Sequence, residues 1–394
     1  MNEFPHRDVP ICLDGRMLGE GGTGVSTYAR ALAAAIRQIS DQPCRLLARC
    51  AGDPGWRKWG AAWIGGTQRL RHMCDADGRV LEGRDIFRRA HVHFSMHRRF
   101  YSIACDGQPG IMHWTYPVPM RMEGWINLYT VHDTIPLDHP DLTPIDPRRH
   151  RAVLDAIAAT GDGITTVTQD ARTAIMGALD CASEFVIQTS QPVDAPRRSW
   201  GPLPAGLLSR GYLLVVGSIE PRKNLMAILT AYRRSDTCLP LVIVGPDGWR
   251  APSILKAMAA TSGVIHLPYV ERDVLLGLIA QARALLFASL AEGFGLPIVE
   301  AMALGTPVLT SNRGAMAEVA GEAALKVDPT DVGALSDGIA RLVNDDVLHR
   351  ALIDRGTRRA TAFSTDAFAA RLTTVYEDAL RRRSNTGNWA RTLV

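Results

Sequence analysis

The sequence predicts an α/β protein of two large domains, with a doubly wound parallel sheet in the second. Three observations carry this. Its 394 residues make two or three domains at roughly 100–200 residues each. Hydrophobic residues make up 46% and charged residues 21%, so each half can bury a core. Beyond residue 207, short apolar runs alternate with helical periodicity. That alternation is the pattern of a parallel sheet with crossover helices.

In the first half, residues 9–13 read as a strand and 23–39 as an amphipathic helix. Residues 44–49, 91–96, 126–131 and 163–168 read as further short strands. The Gly, Trp and Arg content of 51–89 suggests loops with short helices. Residues 190–206 hold four prolines and little periodicity, the mark of a connection between domains. In the second half the strands are placed at 212–216, 239–244, 264–267, 284–288, 307–310 and 324–327. From 331 onward the chain reads as helical and rich in arginine. The expected division is a first domain at 1–190, a linker at 191–206, a second domain at 207–365 and a helical tail at 366–394 that could pack back on the first domain.

Composition excludes several classes. The longest apolar runs, such as 213–216, fall far short of the ~20 residues a membrane span needs. Residues 1–7 hold no apolar segment, so no secretory leader is expected. The seven cysteines are odd in number and scattered, with no CxxC pair. This argues against a disulfide framework and a cysteine–zinc site, and for a cytoplasmic location. The formal net charge of +4 gives no reason to expect a nucleic-acid partner. It is uneven, since residues 1–120 carry 16 basic side chains against 11 acidic ones. Lys58, Lys223, Lys256 and Lys326 are the lysines of a chain otherwise using arginine, so a lysine inside a motif is informative.

Four segments carry candidate chemistry. Gly19-Glu20-Gly21-Gly22-Thr23-Gly24 matches G-x-G-x-x-G. Five residues separate it from the strand, and no acid ends the next strand, so NAD binding is disfavoured. It reads either as backbone N–H groups facing an anion at a helix start, or as a plain flexible connection. Val131-His132-Asp133-Thr134-Ile135-Pro136 follows a strand. His132 there could exchange hydrogen bonds with a sugar hydroxyl, or simply form a structural pair with Asp133. Gly217-Ser218-Ile219-Glu220-Pro221-Arg222-Lys223-Asn224 lies between a strand and a helix, and its adjacent cations suit a diphosphate. In Ser289 to Pro307, a glycine loop opens a helix, with Glu292 in the loop and Glu300 about one turn inside. The backbone and helix dipole make an anion site, while the two acids suit neutral hydroxyls. Hydroxyl groups flanking a diphosphate describe a nucleotide sugar.

These segments resemble the family-4 retaining glycosyltransferases of the GT-B architecture, in which two Rossmann-like domains face each other across a cleft. The resemblance runs from the Gly19 loop to about Thr330, and Glu292–Glu300, an E-x7-E run, is its most specific part. It implies that Glu300 holds ribose hydroxyls and Glu292 those of the transferred sugar. Arg222 and Lys223 neutralise the diphosphate, with Ser218 beside them. His132 contacts the donor sugar and Gly22 approaches phosphate and acceptor. Tyr269 and Val270 meet the base through their backbone. Gly293, Phe294, Gly295 and Leu296 frame the anion site. The resemblance also implies that no metal or other cofactor is needed. Two positions depart from many relatives. Ser218 stands where an arginine is common, and Ala288-Ser289 where Pro-Ser is usual. The VHDTIP and EPRKN runs look most like the bacterial mannosyltransferases that use GDP-mannose in lipopolysaccharide or exopolysaccharide synthesis.

Other readings keep the same plan: another nucleotide sugar as donor, an epimerase or phosphorylase, or a non-catalytic nucleotide-sugar binder. The acceptor is expected to be a glycan or a polyprenyl-diphosphate-linked sugar. Basic clusters at Arg88-Arg89, Arg98-Arg99 and Arg148-Arg149-Arg151 lie near Phe100, Tyr101, Trp114, Tyr116 and Trp125 in sequence. Together they suggest reversible docking on the inner membrane, since basic side chains meet anionic headgroups and aromatics favour the interface. The same clusters would equally serve as a solvated face.

Overall fold

Strands form where aliphatic and β-branched residues run together between glycine- or proline-bearing turns, and the central ones are buried along their whole length. The computed structural model describes residues 8–18, 24–42, 44–50, 67–75, 78–193, 200–201 and 203–385.

In the first half an eight-stranded sheet runs in the order Val186–Gln188, Gly163–Thr166, Ile126–Thr130, Ile111–Trp114, Ile11–Asp14, Arg45–Cys50, Gly78–Arg84, Arg71–Asp75. All neighbours are parallel except the last pair. The chain builds outwards from Ile11–Asp14 in one direction and from Ile111–Trp114 in the other. A small three-stranded parallel sheet of Gln68–Arg69, Tyr101–Ala104 and Met120–Met122 lies beside it.

The second half holds a six-stranded, wholly parallel sheet in the order Val264–Leu267, Leu241–Val244, Leu213–Val216, Ala284–Phe287, Val308–Ser311, Leu325–Val327. In chain order this is 3-2-1-4-5-6, the Rossmann arrangement. The order reverses between Leu213–Val216 and Ala284–Phe287, and ligands of such sheets bind outside the strand ends at that point. The α/β class with two Rossmann-like domains is therefore present.

Two sequence expectations are corrected. Residues 91–96 are not a strand but part of the helix Ile86–His97. Val92, Phe94 and Met96 alternate as in a strand, yet over the longer window the buried positions are Ile86, Phe87, Ala90, His93 and Phe94, which is helical spacing. Within 51–89, the described part is mainly strands rather than short helices.

The long helix Thr365–Asn385 crosses back and packs on the first-half helix Gly24–Ile39. Its Tyr376 is fully buried and bonds His113 Nδ1 at 2.8 Å. Arg383 donates to the carbonyls of Gly124 and Trp125. One hydrophobic cluster runs from Ile11, Tyr28 and Leu32 through Phe368 and Tyr376 to Leu214 and Phe287.

Candidate active site

The turn after Leu213–Val216 owes its shape to glycine. A Cβ on Gly217 would lie 2.8 Å from Lys223 Cε, so the missing side chain lets Lys223 fold back over the strand end. Residues Pro221–Lys223 form a tight 3-10 turn ending at Asn224 in the left-handed region. Asn224 Nδ2 donates to the carbonyls of Ala288, at 3.1 Å, and Pro329, at 2.7 Å. Leu290 N donates to the Arg222 carbonyl at 2.8 Å. These bonds lock the cation turn to the loop after Ala284–Phe287, across the switch point of the sheet.

The charged side chains then converge. Lys223 Nζ lies 2.6 Å from Glu292 Oε1, and Arg222 Nη1 lies 2.5 Å from Glu292 Oε2. Arg222 Nη2 also pairs with Glu220 at 2.6 Å. Burial pushes the Glu292 carboxyl up, but Lys223 and Arg222 outweigh it and hold it below its ordinary value. Glu292 is therefore ionised and oriented, with lone pairs left to accept hydroxyls. Just beyond, Gly295 in the left-handed region starts the helix Leu296–Leu304, and no side chain caps that start. The Leu296 N–H and the helix dipole favour an anion there, since Pro297 has no N–H and Ile298 N is bonded to the Gly295 carbonyl.

Glu300 is 1% exposed. Burial raises its carboxyl above the ordinary value, and the Arg272 guanidinium paired with it offsets this only in part. Arg272 itself is exposed.

The first half supplies the facing wall. His132 Nε2 donates to the Thr115 carbonyl at 3.0 Å, and Tyr28 meets its ring edge-on at 4.9 Å. Burial lowers its pKa to about 4. With Nε2–H committed inwards, the neutral ring keeps Nδ1 as an acceptor. A Cβ on Gly293 would lie 2.7 Å from the His132 carbonyl and 2.9 Å from Asp133 Oδ2. Thr168 Oγ1 donates to the Gly293 carbonyl at 3.1 Å. The loop carrying Glu292 thus touches the loop carrying His132 directly.

His132, Arg222, Lys223, Glu292 and Gly293 are brought together, with Gly295, Leu296 and Glu300 on the adjoining loop and helix. Ser218 is half-buried in the same turn. Val270 packs on the core and Tyr269 is 74% exposed at the rim. Phe294 offers only backbone: its ring is buried and meets Phe363 edge-on at 5.6 Å. Gly22 lies outside the described residues.

The family model of the glycosyl transferases group 1 matches residues 208–359. The O-antigen chain mannosyltransferase B of Escherichia coli is 31% identical over 262 residues, covering 63% of this chain and 68% of that protein. The chain belongs to the group 1 glycosyl transferases. A further relative, the MMP alpha-(1->4)-mannosyltransferase of Mycolicibacterium hassiacum, is 33% identical over 220 residues, or 52% of this chain and 53% of that one. Among solved structures, the sucrose-phosphate synthase of Thermosynechococcus elongatus has a TM-score of 0.67 at 18% identity, covering 95% of this chain and 100% of that one. The shared fold is the two-Rossmann GT-B arrangement.

Sequence reasoning missed four groups in this glycosyl transferase site. Arg272 pairs with Glu300 and Glu220 braces Arg222. Burial raises the carboxyl of Asp133, and the Ile135 N–H it accepts from and the charge of Arg222 offset this only in part. Glu318 accepts from Gln169 N and Asp170 N, both at 2.8 Å, and so ties the second-half helix Gly314–Ala320 to the first half. Only the acid one residue from His132 carried a sequence clue.

Proposed function

We propose that this glycosyl transferase moves α-mannose with retention from GDP-mannose to a glycan or polyprenyl-diphosphate-linked acceptor in bacterial surface-polysaccharide synthesis. The observation that carries this is the pair Arg222–Lys223 gripping Glu292 beside the uncapped helix start at Leu296. The names of its mannosyltransferase relatives support the sugar.

In this reading the diphosphate lies against Lys223, Arg222 and the Leu296 helix start. Glu292, kept ionised, accepts hydroxyls of the sugar, and Glu300 accepts those of the ribose once Arg272 yields. His132 approaches the sugar from the opposite wall. The acceptor oxygen attacks on the face the diphosphate leaves, and a leaving phosphate oxygen takes its proton. Negative charge grows on that oxygen in the transition state, so cations fixed in advance lower the barrier. The positive charge comes from the chain, so we propose a metal-independent reaction. Contact between the Gly293 and His132 loops excludes water and limits donor hydrolysis. The enzyme would act at the cytoplasmic face of the inner membrane. No described helix is long and apolar enough to cross one.

A thermal-shift panel of nucleotide sugars in EDTA tests the donor, since a ligand of the folded state raises its stability. GDP-mannose is expected to give the largest shift. Stabilisation by UDP-sugars alone would remove the GDP assignment, and stabilisation by NAD alone would remove the whole reading.

A further inference from the structure

The first-half sheet has its own switch point, between Ile11–Asp14 and Ile111–Trp114. The residues leaving those two strands interlock. Asp14 accepts from Thr115 N and Thr115 Oγ1, and Arg16 Nη1 donates to Tyr116 Oη at 2.8 Å. Beside them opens a cleft of about 790 Å³. Arg16, Arg88 and Arg149 line it, with Asp85 as the one acidic side chain among the described residues. Three chain segments therefore bring three arginines to the walls of one space.

The helix Ile86–His97 forms one wall, and two kinds of chemistry sit on it. Arg88 and His91 are polar, and His91 Nδ1 is buried without a hydrogen-bond partner. Val92 and Met96 are apolar, with Met96 40% exposed, while Phe87 is buried behind them. Burial, with Arg149 and Arg16 adding to it, lowers the His91 pKa to about 4. Its ring is thus neutral among cations, the situation an incoming anion would relieve. Arginine forks match phosphate oxygens in paired hydrogen bonds. A plain phosphate site would not need the apolar wall.

We propose that this cleft binds the diphosphate of a lipid-linked acceptor, with Arg16, Arg88 and Arg149 on the phosphates and Val92 and Met96 against the first lipid carbons. This rests on the transferase reading. The cleft lies next to the reaction centre, because Thr115, which precedes Tyr116, holds His132 through its carbonyl. An acceptor anchored here by its diphosphate would present its sugar towards that wall.

Calorimetry on the whole protein, with GDP at saturation to occupy the donor side, tests the proposal with three probes: farnesyl diphosphate, inorganic pyrophosphate and farnesol. Farnesyl diphosphate is expected to bind about tenfold or more tightly than either fragment probe. The double variant Arg88→Ser, Arg149→Ser should weaken it by about tenfold or more, since charged hydrogen bonds are lost. Both side chains are exposed, so the melting temperature and the GDP titration should not move. Farnesyl diphosphate binding unchanged in the variant would overturn the site. Pyrophosphate binding as tightly as farnesyl diphosphate would overturn the lipid-linked source in favour of free phosphate. If GDP fails to bind the wild type while the farnesyl diphosphate result holds, the donor assignment falls and the cleft stands.

Discussion

At the scale of single residues, Glu292 and Glu300 are chemically alike but held differently. Glu292 is clamped by two cations and kept ionised, whereas Glu300 is buried with one exposed arginine to offset it. Lys223→Ala removes charge needed most as the diphosphate leaves, and it frees one Glu292 oxygen. Turnover should fall by more than ~100-fold. Glu300→Ala removes ground-state grip on the ribose, so the donor KM should rise with a smaller change in kcat. Steady-state kinetics separate the two, and near-normal turnover in Lys223→Ala would refute its catalytic role. The E-x7-E spacing and the adjacent cations were readable because local sequence places them on one turn and one helix start. Arg272 was not, because only the fold brings it to Glu300.

At the scale of elements, the site is made by two loops in contact. Gly293 has ordinary backbone angles, so its lack of a side chain serves close approach alone. Gly293→Ala should push the His132 loop away by enough to disturb the reacting geometry. Because a shift of ~1 Å can cost on the order of 100-fold, kcat should drop by roughly 10- to 100-fold, and the melting temperature should fall as well because the atom met is backbone. Normal kcat with an unchanged melting curve would show that the loops need not touch for reaction. The second-half strands lay within a residue or two of where apolar runs placed them, since a strand buried on both faces is a continuous run. Residues 91–96 were misread for the converse reason. Six residues are too few to separate alternation from a helix face, and flanking Ile86 and Ala90 decide it.

At the scale of the whole molecule, the C-terminal helix and the Glu318 contacts join the halves that the cleft divides. The membrane proposal is narrowed by burial. Tyr101, Trp114 and Trp125 are in the core, and Phe100 and Tyr116 pack against it, so these aromatics cannot meet headgroups. Their role is packing, as in the Trp114–Tyr129 stack at 6.1 Å. The exposed arginines remain, among them Arg98 and Arg99. Sedimentation with anionic vesicles should show binding at low salt, loss at high salt, and weakening in Arg98→Glu, Arg99→Glu. Equal recovery in the supernatant with anionic and neutral vesicles would end the docking proposal.

The central claim is that this chain transfers a sugar using its own fixed charges. It is tested most directly by following GDP release from GDP-mannose in EDTA with a prenyl-diphosphate-linked sugar acceptor, and by NMR of the product's anomeric carbon. The account predicts GDP release matched by an α-mannosyl product without added metal. A β-linked product, or activity lost in EDTA and restored by Mg²⁺ or Mn²⁺, would contradict it.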